Sequence, residues 1–288
     1  MRRSLLVAAL AGSLLASPAL ADVTVRYRAV LPDSAPAATR ANPPTMTIAA
    51  DGAGQARWEM VAPGTPAAGA RQPSIALIAR EGIGYFAMNG PQPGMQIVGR
   101  IDDAIAIGAQ FAAPILQGPA RATVSQVMSQ RVEITPVGPE TVSGVQGNLY
   151  RIVIVSGETR TPPVEMVVAT DPRLAPIGRE FVRMIESLRP TVVAVAGSEP
   201  QLFAALRGMA GLGAPLRIGN EMRIDTVSTD DVPDGQFALP GPVMGREQLQ
   251  MMIGAMLGGM GQGQGSGRPA PGHPAPPASP PGNAANPH

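Results

Sequence analysis

Apolar and polar residues alternate with a period of two through much of the first hundred residues, and that pattern restricts the chain to half-buried strands over this stretch. Val23, Val25, Tyr27 and Ala29 fall on one side of a strand, Thr24, Arg26 and Arg28 on the other. Met46, Ile48 and Ala50 repeat the pattern, and Trp58 and Met60 oppose Arg57 and Glu59. Asp51-Gly52-Ala53-Gly54 is a turn between two such runs, which makes them a hairpin. Ser74–Arg80 and Ile83–Met88 form a second hairpin across Glu81-Gly82, and Met95–Val98 supplies a further strand. The expectation is an antiparallel meander interrupted by Pro/Ala-rich loops at Pro32–Pro44 and Pro63–Pro73.

Beyond residue 100 the period changes. Asp102–Leu116 is apolar and Ala-rich and is read as helix; strands return at Gln130–Pro136, Asn148–Val155 and Val164–Thr170. Leu174, Ile177, Phe181, Met184, Ile185 and Leu188 recur at helical spacing, with Arg179, Glu180, Arg183, Glu186 and Arg189 expected to face outward and Pro190 to end the helix. Ser198-Glu-Pro-Gln has capping-box spacing and is expected to start a helix running to Gly211. Leu216–Val227 reads as one strand, and Phe237 and Leu239 as a short final one.

The chain contains no cysteine and no lysine, and its two histidines, His273 and His288, lie in a Pro/Gly-rich tail. A thiolate nucleophile, a Ser-His or Ser-Lys couple, a Schiff base and a zinc site built on imidazole or thiolate are therefore excluded from the body of the chain. Arg2 and Arg3 outweigh the formal net charge of +1, so the rest of the chain is formally negative and has no basic field for nucleic acid.

The two ends differ in composition from the body. Arg2-Arg3, the apolar run Leu5–Leu15 and Ala19-Leu20-Ala21 have the layout of a secretory signal peptide over residues 1–21, cleaved after Ala21 and directing the remainder to the periplasm or outside. The arginine pair also leaves the twin-arginine route open, and the run is short of the ~20 apolar residues of a membrane span. Residues 22–245 are taken as the folded domain, 246–260 as a Met-rich short helix and 261–288 as a disordered Gly/Pro/Ala-rich tail. Met252, Met256 and Met260 recur every four residues, a stripe that suits docking on its own domain, an envelope protein partner or, as a weak metal candidate, Cu(I). No cofactor is expected.

The order of motifs also resembles a family. Val142-Ser-Gly-Val-Gln-Gly-Asn-Leu-Tyr-Arg-Ile-Val-Ile, then Glu165-Met-Val-Val-Ala-Thr-Asp171, a helix, Gly213-Ala-Pro-Leu216 and Val232-Pro-Asp-Gly-Gln-Phe-Ala-Leu-Pro240 look like an uncharacterised exported domain family. That family's fold is similar to the half-barrels of the lipoprotein carriers LolA and LolB. The resemblance spans roughly residues Val23 to Pro240. It lacks the cysteine frequent near the position of Gly147, and the Pro/Ala loops and tail are additional. It implies an α+β fold, mainly antiparallel β, with a curved sheet or half-barrel under two or three covering helices.

Such a sheet offers a concave apolar surface able to hold a lipid, an acyl chain or an apolar peptide. Candidates for its lining are Val25, Tyr27, Trp58, Met60, Ile75, Leu77, Tyr85, Met88, Ile152 and Ile154, all of which would serve equally well in a closed core. A non-enzymatic binding protein is the leading reading. A structural or protein-interaction module of the envelope without a small-molecule ligand is the alternative. A hydrolase is third and would have to use carboxylates such as Glu59, Asp102, Asp103, Glu165 or Asp171.

Overall fold

The computed structural model describes residues 22–63, 74–90, 92, 94–115, 126, 130–196 and 199–262. The expected signal peptide, most of the Pro63–Pro73 loop, Ser198 and the tail beyond residue 262 lie outside the described residues. The chain divides into two units, the first running to Leu249 and the second starting at Gln250.

The first unit is α+β with a single open, curved, antiparallel sheet, whose first six strands form the meander that the alternation predicts. Its strands in chain order are β1 (Val23–Ala29), β2 (Thr45–Ala50), β3 (Ala56–Val61), β4 (Ser74–Arg80), β5 (Ile83–Asn89) and β6 (Gln96–Arg100), followed by β7 (Arg131–Val142), β8 (Val145–Ser156), β9 (Thr159–Arg160), β10 (Val164–Ala169), β11 (Pro215–Ile218) and β12 (Met222–Ser228). Their order across the sheet is β6-β5-β4-β3-β2-β1-β12-β11-β10-β8-β7, with β9 paired to β8. The meander β1–β6 is thus joined to the later strands through β1 and β12, which pair in register from Thr24↔Ser228 to Ala29↔Met222 with a bulge after Arg26.

Helix α1 (Ala37–Ala41) is a single turn inside the first Pro/Ala loop, α2 (Ile101–Ile115) follows β6, and α3 (Ala175–Ala196) and α4 (Gln201–Gly211) lie between β10 and β11. Three sequence expectations change here. Leu216–Val227 is a hairpin, not one strand, because Gly219 takes a φ of 52° and turns the chain. Phe237 closes a 3-10 turn, Asp234–Phe237, rather than a strand. Pro190 lies inside α3. It deprives the helix of one backbone hydrogen bond, and α3 and α4 are tied there by side chains instead. Arg207 reaches Glu186 at 3.2 Å and Glu199 at 3.0 Å, and Arg189 reaches Glu199 at 3.1 Å.

Register sets what each face of the meander carries. One row reads Val25, Ile48, Trp58, Leu77, Phe86 and Gly99 across β1–β6; its neighbours read Val23, Ala50, Ala56, Ala79, Gly84 and Tyr27, Met46, Met60, Ile75, Met88, Ile97. This face carries α3: Phe181 packs edge-on against Trp58, centroids 4.5 Å apart, and against Tyr27 at 6.4 Å. Each such pair adds about 0.5–1.5 kcal/mol beyond burial. The main core is built here, from Val23, Val25, Tyr27, Ile48 and Trp58 with Leu174, Ile177, Leu216 and Ile224.

The opposite face is covered by the segment after β12. Phe237 and Val232 pack on Ala49, and Leu239 packs on the cluster of Ala76, Ile78, Ala87 and Val98. The same segment closes the β6 edge, since Met244 N donates to Val98 O at 2.8 Å beside a parallel Val98–Val243 bridge. The other edge, β7, carries Pro136 and Pro139 with a register shift between Pro136 and Gly138, and such prolines discourage a further strand.

Helix α5 (Arg246–Gln262) spans the boundary between the units. Leu249, fully buried, belongs to the first, so that unit extends past the residue 245 expected from sequence. In the second unit the described residues are helical; Met251 is exposed, Met252 half-buried, and the side chains of Met256 and Met260 lie outside the described residues.

Candidate functional site

A cavity of about 400 Å³ opens between β3–β5 and the facing sides of α2 and α3. Beside Trp58 and Leu77 the register sets two small lining residues, Ala79 and Gly84, opposite one another on β4 and β5. Trp58, Leu77, Ala79 and Gly84 line the sheet side, Ile101, Asp102 and Ile105 the side of α2. Glu180, Arg183, Met184, Ser187 and Leu188 line the side of α3.

The polar groups of the lining come chiefly from α3. Glu180 is 5 % exposed, the buried charged residue among the described residues. Burial pushes its carboxyl above the ordinary range, and the nearby Asp51 adds to this, against the pull of Arg183 and Arg179. Arg183 Nη1 lies 2.9 Å from Glu180 Oε1 and 3.1 Å from Oε2, and it also donates to Gly54 O at 3.0 Å. Helix α3 is thereby clipped to the β2–β3 turn, which Asp51 shapes by accepting from Gln55 N at 2.7 Å and Gln55 Nε2 at 3.0 Å. Ser187 Oγ donates within the helix to Met184 O at 2.7 Å.

The expected outward position of Glu180 is corrected by this geometry. Its spacing carries the signal: Glu180 is three residues after Ile177 and four before Met184, inside the buried stripe.

Of the ten lining candidates, Trp58 and Leu77 line the cavity. Val25 and Tyr27 are closed into the main core, and Met60 and Ile75, on the same face, are 40 % and 43 % exposed. Met88 shares that face and is half-buried. Tyr85, three residues from Met88, sits on the opposite face with the Ile78 cluster, as strand periodicity requires. Ile152 packs with Met166, Val168 and Met209 in a separate cluster, and Ile154 is half-buried.

The carboxylates considered for hydrolysis are distributed over several elements, most of them with an arginine partner. Glu59 pairs with Arg57 at 3.4 Å, Asp102 lies 3.8 Å from Arg100, and Asp103 is half-buried in the first turn of α2. Glu165 and Glu140 share Arg217, at 3.2 and 3.0 Å. Asp171 caps the 3-10 turn before α3, and its hydrogen bond from the Arg173 side chain holds its carboxyl below the usual range. Among the described residues no group of three or more acidic or histidine side chains is placed to hold a metal, and no helix is long and apolar enough to cross a membrane. No protein-family model matches this chain, and no curated protein is significantly similar to it.

Proposed function

We propose that the chain is an exported, non-enzymatic binding protein of the cell envelope that holds a lipid, an acyl chain or an apolar peptide on the helix-bearing side of its sheet. The observation that carries this reading is the cavity beside Trp58. Its size falls in the about 300–1,000 Å³ range of ligand sites, and its lining is mostly apolar with a few polar groups, chiefly on α3. The leader-like residues 1–21, and the resemblance of the motif order to an exported domain family with a fold similar to LolA and LolB, support an envelope compartment and an apolar cargo.

Native mass spectrometry of the protein purified from its own envelope without detergent tests this reading. A discrete bound mass that partitions into organic solvent on extraction is the expected result. A bare polypeptide mass, unchanged after incubation with envelope lipids, would overturn it.

A further inference from the structure

Resting on that reading, we propose that the cavity is a single-chain site: its ligand is an anionic amphiphile with one alkyl chain of about a dozen carbons, its head group held by Arg183.

Volume sets the chain. The cavity's about 400 Å³ lies near the lower end of the about 300–1,000 Å³ of ligand sites, a size that suits one alkyl chain of about a dozen carbons. A two-chain phospholipid has more than twice the apolar volume of one such chain, and a triacylated lipoprotein anchor more again. Towards β1 the sheet is already covered, because Phe181 seats on both Trp58 and Tyr27. On the other side, Ile101 fills the space over Gly84, where even an added Cβ would lie 3.1 Å from its Cδ1.

The head group follows from which donors and acceptors are already used. The Ser187 hydroxyl is spent on Met184 O, and Glu180 is paired with Arg183 Nη1, which donates to its Oε2 at 3.1 Å and lies 2.9 Å from its Oε1. Asp102 is largely in solvent near Arg100. Arg183 is different: its side chain is 50 % exposed and its Nη2 and Nε have no acceptor among the described residues. A guanidinium fork with two free directions matches a carboxylate or phosphate, and its Nη1 is already fixed by Glu180 and Gly54 O. The glutamate therefore acts as a positioning residue for the arginine, and their mutual pairing offsets the repulsion it would exert on an anion.

Trp58 is the chain's single tryptophan and lines the cavity, so its emission reports occupancy. The test titrates the full chain, below micelle-forming concentrations, with dodecanoate, octadecanoate, dodecyltrimethylammonium and phosphatidylglycerol, with native mass spectrometry for stoichiometry. Expected are one-to-one binding of dodecanoate, at least ~10-fold tighter than either the cationic chain or octadecanoate, and a ~10-fold or greater loss in Arg183→Gln. The double variant Glu180→Gln/Arg183→Gln, which orphans no buried charge, shows the same loss and answers for Arg183→Gln should that variant not fold. Arg223→Gln, on the opposite face, leaves the affinity unchanged. Equal affinity for the cationic chain, for octadecanoate or for one phosphatidylglycerol overturns the single-chain anion site while leaving the binding reading standing. Absence of any bound amphiphile, by emission and by mass, overturns both.

Discussion

Removing the Arg183 side chain should destabilise the protein in a manner that depends on pH in a calculable direction. Arg183→Gln leaves the 5 %-exposed Glu180 without its partner at 2.9 Å, with Arg179 the remaining nearby cation and Asp51 an opposing charge. Breaking a fully buried pair costs about 3–5 kcal/mol; because the Arg183 side chain is 50 % exposed and water screens it, about 2 kcal/mol is expected at neutral pH. The sign follows from linkage. The folded-state pKa of Glu180 is raised, so the folded protein keeps a proton that the unfolded chain releases above 4.5, and stability falls as pH rises through that window. Losing Arg183 moves the folded pKa further up. The deficit of Arg183→Gln against the parent is therefore small below pH 4.5 and full at neutral pH. Glu180→Gln keeps the volume and an acceptor, and should stay within about 1 kcal/mol of the parent; the double variant recovers most of the loss. Urea unfolding followed by Trp58 emission at about pH 4 and 7.5 measures all four corners of the cycle. A loss in Arg183→Gln that is the same at both pH values, or a loss in Glu180→Gln as large as that of Arg183→Gln, would refute the reasoning.

Tyr27→Phe should raise stability by about 1 kcal/mol in the same urea assay, because the Tyr27 hydroxyl is buried with no hydrogen-bond partner among the described residues; a loss would show that the hydroxyl is satisfied in solution. Gly147→Ala should lower the melting temperature at a cost of about 1–3 kcal/mol, since its Cβ would meet Val168 O at 2.5 Å and Val167 Cγ1 at 2.9 Å; an unchanged melting temperature would mean that β8 and β10 pack less closely there. Leu249→Ala should cost about 2–5 kcal/mol, and a chain ended at Gly245 should melt below one ended at Gln262, because fully buried Leu249 packs over Gly99 of β6; equal melting temperatures would place the end of the domain before α5.

The hairpins of the meander were legible because each local signal agreed: period-two alternation, and turns at Asp51–Gly54 and Glu81-Gly82, where Gly54 and Gly82 take φ values of 90° and 75°. The β1–β12 pairing was not, since Thr24 and Ser228 are brought together by the packing of the whole unit and leave no local mark. Proline was over-read. Pro190 was expected to stop α3, but the ion pairs of Arg189 and Arg207 and the contact with α4 hold the helix through it. Gly147 shows the reverse, a residue whose meaning depends on a distant strand: the position near which the resembling family often has cysteine has no room here for even a Cβ.

The candidate site was half legible. Trp58 and Leu77 were named because alternation assigns a face, but a face does not say where a helix will press on it or stand off. Part of that distinction lies in the in-register pair Ala79 and Gly84, which no single strand reveals. Glu180 was lost for another reason. Its charge points to solvent, whereas its angle on the helix, between Ile177 and Met184, lies within the buried stripe.

The central claim, that an alkyl chain lies in the cavity against Trp58, is tested most directly by quenching with dodecanoate brominated along its chain. Heavy-atom quenching requires contact with the indole, and this chain has a single one. The account predicts saturable, one-to-one quenching of Trp58 that unbrominated dodecanoate reverses. Binding of the brominated chain by mass without quenching would place the ligand elsewhere on the molecule and contradict the account.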